Sequence, residues 1–336
     1  MRFPIFWLSA VLSCTSASAQ TLLPIPEIPL VDSPGATWIP AATGNFAPAN
    51  RPVSLIIDRV IIHDIEGTSQ AGIDIFARPG AKVSAHYIVG GDGKITQMVR
   101  ERDIGWHAGN SDINARSVGI EFEGFAYRPG FYSPLLYETG AKLVRDITSR
   151  YGIPRDREHI IGHAEVPSPR DPTRFGGISG HTDPGPYWNW NGFMSLVRND
   201  ARLVSAEIPV IIRPGEILKV AVTLQNTGDE IWPANTAPNP RTGLQASAPL
   251  VYLGTSSGAP SVFSSLQGWI SPILASGTAA DTPPGALARF EFALRGPREL
   301  GEVRENLRLS LQPTAAQGAA PIFFGEVVPL TLRVVP

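Results

Sequence analysis

Arg59-Val60-Ile61-Ile62-His63-Asp64-Ile65 is a short run of β-branched apolar residues that ends on an imidazole. Its length and its Val/Ile content predict a buried β-strand rather than a helix. His159-Ile160-Ile161-Gly162-His163 repeats the pattern about a hundred residues later, again with a histidine at the end. Ser117-Val118-Gly119-Ile120-Glu121-Phe122-Glu123 lies between them as a third strand and carries carboxylates in place of imidazoles.

Working outward, strand-like and helix-like patterns alternate from Ser54 to about Ala201, as in a mixed α/β domain. Ser69–Ala77 reads as a short helix ended by Pro79-Gly80, and Gly90-Gly91-Asp92-Gly93 as a hairpin turn between strands at 86–89 and 94–99. The clearest helix has Ser133 as N-cap, Pro134 as first residue and Gly152 just past its end. Its apolar face is Leu136, Leu143, Val144, Ile147 and Tyr151. A closing helix is predicted over Asn191–Leu203. Beyond Ser205 the period changes to two: Leu218, Val220, Val222 and Leu224 alternate with polar or small residues, and the pattern returns at 290–294, 307–311 and 328–334. These short strands between Gly/Pro turns predict an all-β sandwich over 205–336. Asn226-Thr227-Gly228 followed by Ile231-Trp232-Pro233 resembles the turn and buried tryptophan of immunoglobulin-like accessory domains.

The chain has 336 residues, a length that favours two domains, and a formal net charge of −2, which gives no reason to expect a nucleic-acid partner. Arg2, the apolar run Phe3–Leu12 and Ala17-Ser18-Ala19 read as an export signal over 1–19. The run is too short for a transmembrane segment. The expected location is therefore periplasmic or extracellular. The single cysteine, Cys14, falls inside the signal; Val11-Leu12-Ser13-Cys14 offers the alternative of a lipid anchor. Residues 20–52 are rich in Pro, Ala, Gly and Asn and read as an arm or linker, part of which can drape over the domain at 53–203.

All six histidines lie between His63 and His181. His63 and His163 each end an apolar strand, so adjacent strands can aim both rings at one spot. Asp183 sits in the restricted loop His181-Thr182-Asp183-Pro184-Gly185-Pro186. Two imidazoles and a carboxylate can hold Zn²⁺ with one position left for water. Asp171, in Arg170-Asp171-Pro172, is the competing carboxylate.

These stretches carry a resemblance. Val60-Ile61-Ile62-His63, Val83-Ser84-Ala85-His86-Tyr87, Gly105-Trp106-His107-Ala108-Gly109, Ser117–Gly124, Ile161-Gly162-His163 and His181–Trp190 resemble, in order, the zinc-dependent N-acetylmuramoyl-L-alanine amidases, whose fold is shared with peptidoglycan recognition proteins. The resemblance implies a central mixed sheet flanked by helices, Zn²⁺ held by His63, His163 and Asp183, and peptidoglycan or muropeptides as substrate. It implies Glu121 as general base, with Glu123 on the same strand face as the alternative. It also places His181, where relatives often have lysine, to stabilise the oxyanion or protonate the leaving amine; direct binding of the metal by His181 is the alternative. His107, Trp106, Asn114 and Arg116 are candidates for substrate contact, His86 and His159 for structural roles. The chain departs from relatives that use a cysteine as third ligand, and Pro167–Ser179 reads as an insertion. A non-catalytic peptidoglycan-binding protein of this fold is the alternative function, for which loss of a ligand or base is the signature; all are present.

Overall fold

The computed structural model describes residues 31–235, 250–312 and 320–336, so the expected export signal and Cys14 lie outside the described residues. The first part of the chain forms β1 (Ala36–Trp38), β2 (Phe46–Ala47), β3 (Arg59–Asp64), α1 (Ser69–Ala77), β4 (Tyr87–Val89), β5 (Ile95–Gln97), β6 (Ile104–Gly105), α2 (Ser111–Arg116), β7 (Ser117–Phe122), α3 (Pro134–Tyr151), β8 (Ile160–Gly162) and α4 (Trp190–Arg198). Six strands make a mixed sheet in the order β1-β5-β4-β7-β3-β8. The β4–β5 pair is antiparallel, while β4, β7, β3 and β8 run parallel.

Strand alternation divides the side chains between two layers. Val60, Ile62, Ile120 and Phe122 share a buried cluster with Leu136, Leu143, Val144 and Ile147 of α3 and with Phe193 and Val197 of α4. Ile61 belongs to a separate cluster with Ala108, Ile161 and Val166. The caps of α3 follow the sequence: the Ser133 side chain accepts from the Leu136 N–H, and Gly152 takes the left-handed conformation at φ 66°.

Two expectations about element boundaries change. The stretch expected to be arm or linker supplies β1, parallel to β5, and β2, antiparallel to β6. The unpaired backbone of β5 at the sheet edge attracts this cover, and the Asp32 N–H adds a hydrogen bond to Gln97 Oε1 at 2.7 Å. The run Ala36-Thr37-Trp38 is too short to show a period. The closing helix stops at Arg198 rather than Leu203, and Ala201 begins a strand. Backbone N–H groups of Thr227 and Asp229 bond the carbonyls of Asp200 and Arg198, which draws the chain out of the helix.

The remainder forms β9 (Ala201–Glu207), β10 (Ile211–Ile212), β11 (Ile217–Asn226), β12 (Leu250–Thr255), β13 (Leu274–Gly277), β14 (Leu287–Arg295), β15 (Gly301–Gln312) and β16 (Ile322–Val334). They make a five-stranded sheet, β10-β16-β15-β12-β13, and a three-stranded sheet, β14-β11-β9. Val220, Val222, Leu224, Phe290 and Phe292 of the smaller sheet share one buried cluster with Leu253, Leu307, Leu309 and Leu332 of the larger, and with the core around α3 and α4. Trp232 is fully buried against Phe324, ring centroids 5.8 Å apart. Arg155 reaches both oxygens of Asp229 at 3.0 Å, and Arg308 donates to Glu138 at 2.9 Å, so ion pairs accompany the apolar contact.

The turn at Asn226-Thr227-Gly228 is a tight junction: a Cβ on Gly228 would lie 2.4 Å from the Arg198 carbonyl oxygen. Because backbone cannot step aside as a side chain can, Gly228→Ala should destabilise the protein by about 1–3 kcal/mol. Urea unfolding measures this; an unchanged midpoint would show that the junction is loose.

Candidate metal centre

The parallel register of β7, β3 and β8 builds the site. His63 pairs with Glu121 across β3 and β7, and Ile62 pairs with Gly162 across β3 and β8. Residues 63, 121 and 163 therefore leave the sheet at the same end. Asp183 arrives from a distant loop because Gly162 has no side chain. A Cβ there would meet Pro184 Cδ at 2.8 Å, so the glycine lets the Asp183-Pro184 segment lie against the end of β8. The Ala164 N–H holds the Asp183 carbonyl at 2.8 Å. Gly185, at φ 79° and with a Cβ there placed 2.4 Å from the Ala126 carbonyl oxygen, closes the loop, a position only glycine tolerates.

His63, His163 and Asp183 are all buried, and one ligand atom from each lies within 4.8 Å of the others. His63 Nδ1 stands 3.1 Å from His163 Nδ1 and 3.1 Å from Asp183 Oδ2, while His163 Nδ1 is 3.2 Å from Asp183 Oδ1. Two ring nitrogens facing each other and a carboxylate at this separation suit a small divalent cation of zinc type. His163 Nε2 and Glu121 Oε2 are buried with no hydrogen-bond partner. Asp171 is elsewhere: its Oδ1 accepts from the Thr173 N–H and hydroxyl within its own turn.

The electrostatics fit the same donor set. Burial holds His63 down at about 4, so its ring is neutral and can offer a lone pair. Burial works against ionisation of Asp183, but His163, His181 and His63 together hold its carboxyl well below the usual carboxylate range. Burial, then Asp183 and Asp64, push Glu121 well above the ordinary value for glutamate. The neighbouring Asp64, which accepts from the Tyr132 hydroxyl, is raised by burial to about 6.

His181 stacks on His163, with centroids 4.4 Å apart and planes at 13°. Its Nδ1 is 3.6 Å from Asp183 Oδ1, and that carboxylate raises its pKa above the usual imidazole value. Its side chain is 53% exposed and lines the opening, a cavity of ≈ 370 Å³ that also includes Asp64, Glu66, Ser179, Thr182 and Asp183. The Pro167–Ser179 segment forms part of this wall. Its end is tied to the loop at 109 by the Ile178 N–H, 2.9 Å from the Gly109 carbonyl.

Glu123 is engaged away from the triad, accepting from the Ser69 N–H at the start of α1. None of the four residues expected to touch substrate lines that cavity. His107 is buried behind His63, its Nδ1 3.0 Å from His63 Nε2. Buried Asn114 accepts from the backbone N–H groups of His107 and Ala108 and so shapes that loop. Arg116 pairs with Asp58 before the start of β7, five residues and roughly 16 Å of strand from Glu121. Trp106 is half-buried beneath Lys82. Sequence proximity to a strand cannot say which end of it a residue occupies, as for Arg116, or whether its side chain turns inward, as for His107 and Asn114. His86 is buried, accepting from the Gly119 N–H, and His159 bonds Asp156 at the molecule's edge.

Sequence reasoning missed Arg51. Its buried guanidinium donates to the carbonyls of Asn114, Ala115, Ser117 and Glu101 at 2.7–3.2 Å and also meets His86, tying together the segments on either side of the loop that carries His107. Burial lowers its pKa to about 10. Nothing in a Pro-rich stretch distinguishes such an arginine from a solvated one.

A family model described as N-acetylmuramoyl-L-alanine amidase matches residues 51–186. The N-acetylmuramoyl-L-alanine amidase A of Achromobacter lyticus is 34% identical over 180 residues, covering 50% of this chain and 96% of that protein. The 1,6-anhydro-N-acetylmuramyl-L-alanine amidase AmpD of Haemophilus influenzae is 32% identical over 124 residues, covering 35% of this chain and 60% of that protein. A crystal structure of a selenomethionine AmpD derivative aligns with a TM-score of 0.39 at 25% identity, over 49% of this chain and 96% of that one. With one such relative matched along nearly its whole length, the chain belongs to the N-acetylmuramoyl-L-alanine amidase family.

Proposed function

We propose that this amidase is an exported zinc enzyme that hydrolyses the amide between the lactyl group of N-acetylmuramic acid and the L-alanine of peptidoglycan stem peptides. The observation that carries the reading is the buried cluster of His63, His163 and Asp183, with the carboxylate of Glu121 beside it in the strand register. A zinc ion held by those three residues supplies Lewis acidity, lowering the pKa of water toward about 7 and polarising the amide carbonyl.

Glu121 is the general base. It has one carboxylate oxygen with no other partner, so nothing competes with the proton of the attacking water. Attack forms a new C–O bond at the carbonyl carbon, and collapse breaks the C–N bond, with the proton returned to the departing amine. His181, exposed at the opening and biased toward its charged form by Asp183, stabilises the negative charge that develops on the carbonyl oxygen. The cavity edged by Glu66, Ser179 and Thr182 receives the substrate.

Export rests on the sequence Arg2, Phe3–Leu12 and Ala17-Ser18-Ala19. Among the described residues no helix is long and apolar enough to cross a membrane. The two C-terminal sheets are read as an immunoglobulin-like accessory unit that stabilises the amidase part, supported by their shared core and by buried Trp232.

Purified protein should release stem peptides from defined muropeptides, stop when zinc is chelated and recover when zinc is returned. Mass spectrometry of the digest reads this, and unchanged release under chelation would remove the metal from the reaction. Glu121→Ala should keep its zinc and lose about 10²–10⁴-fold in turnover. Full turnover by that variant would exclude Glu121 as base. Metal analysis separates the two carboxylates: Asp183→Ala should empty the site and Asp171→Ala should leave it filled, and the opposite pattern would reassign the third ligand.

A further inference from the structure

Behind the metal-facing side of His63 runs a chain of hydrogen bonds that ends on a backbone carbonyl. His63 Nε2 is 3.0 Å from His107 Nδ1. His107 Nε2 is 3.3 Å from Ser117 Oγ, and Ser117 Oγ–H donates to the Ile113 carbonyl at 2.6 Å. All three side chains are buried, so water does not substitute for any link.

The far end dictates the direction of the whole chain. A carbonyl oxygen only accepts, so the single proton of Ser117 is committed to Ile113 and its lone pairs face His107. His107 must then carry its proton on Nε2, which leaves Nδ1 as an acceptor. His63 must in turn donate from Nε2, and its Nδ1 is left with a bare lone pair. That nitrogen is the one facing His163 Nδ1 and Asp183 Oδ2.

The His107 ring is also held in place by shape. A Cβ at Gly119 would lie 2.5–2.6 Å from three atoms of the ring, so the glycine in β7 makes the room that His107 fills beneath His63. Gly119 pairs with Ile61 in the register, two residues before His63, which puts the ring directly under the ligand.

We propose that His107 and Ser117 are positioning residues that select the ligating tautomer of His63. The inference rests on the reading of His63, His163 and Asp183 as a zinc site. It gives His107 a task on the far side of His63 from the opening: it keeps the correct nitrogen of His63 deprotonated and its ring oriented before the cation arrives.

The test is zinc affinity of the full chain, measured by competition with a chromophoric chelator, alongside ¹⁵N NMR of the histidine ring nitrogens. His107→Phe fills the space without an acceptor and should weaken zinc binding about 10–100-fold. His107→Asn restores a carbonyl oxygen at the Nδ1 position and should recover to within about fivefold of the native chain, the worth of one neutral hydrogen bond. Ser117→Ala removes only the orienting group; it should weaken binding about fivefold and broaden the His63 signals into a mixture of tautomers. Native affinity in both His107→Phe and Ser117→Ala overturns the proposal, as does an Asn variant as weak as the Phe variant, which would assign the effect to packing. If His107→Phe does not fold, Ser117→Ala decides alone: a single unchanged His63 tautomer with native affinity overturns it. A native chain that binds no zinc overturns the metal reading itself, so the two failures are distinct.

Discussion

Three parallel strands ending at one level are the constraint on which the site depends. Residues 63 and 163 are far apart in sequence, yet β3 and β8 are hydrogen-bonded neighbours, and β7 brings Glu121 into register with His63. The sheet must be covered on both sides for this to hold. α3 and α4 cover one face with an apolar layer, and the other carries Ile61, Ile161, Ala108 and Val166 beneath the ligands. Asp183 is the only member of the triad that does not come from a strand end, and glycine at 162 and 185 admits the loop that delivers it. The site is thus a consequence of backbone register, with two missing side chains as the permission for its third donor.

The same economy of space recurs behind His63. Gly119 admits the His107 ring, and the buried Arg51 guanidinium ties together carbonyls of the segment that follows the His107 loop. A segment that runs along the sheet edge therefore contributes to the order of the centre without approaching it. Burying a guanidinium is costly unless its donors are satisfied. Here most of them meet backbone carbonyls, so the arginine organises the loop through oxygens that substitution cannot remove.

Five of the six sheet strands (β3, β4, β5, β7 and β8), α1 and α3 were legible because each carries a local signal such as an apolar β-branched run, a Ser-Pro start or a glycine stop, whereas β1 was not. His63, His163 and Asp183 were legible jointly, through strand ends and a restricted loop; the stretch His181–Trp190 already favoured Asp183 over Asp171, and the structure keeps Asp171 within its own turn. The positions of His107, Asn114 and Arg116 relative to the opening were not legible. Each lies near a strand in sequence, but Arg116 lies at the wrong end of it, while His107 and Asn114 turn inward. The end of α4 was overrun because Leu203 continues an apolar pattern that the Asn199-Asp200 bend interrupts through contacts with a distant turn.

The proposed chemistry stands or falls with the coordination of zinc by two imidazoles and one aspartate. X-ray absorption at the zinc edge on the full-length protein tests it most directly. One zinc per chain is expected, in an environment of nitrogen and oxygen donors at about 2.0–2.2 Å, with scattering from two imidazole rings. Scattering from three rings would make His181 a ligand and contradict the assignment, and a chain that retains no zinc would contradict the site altogether.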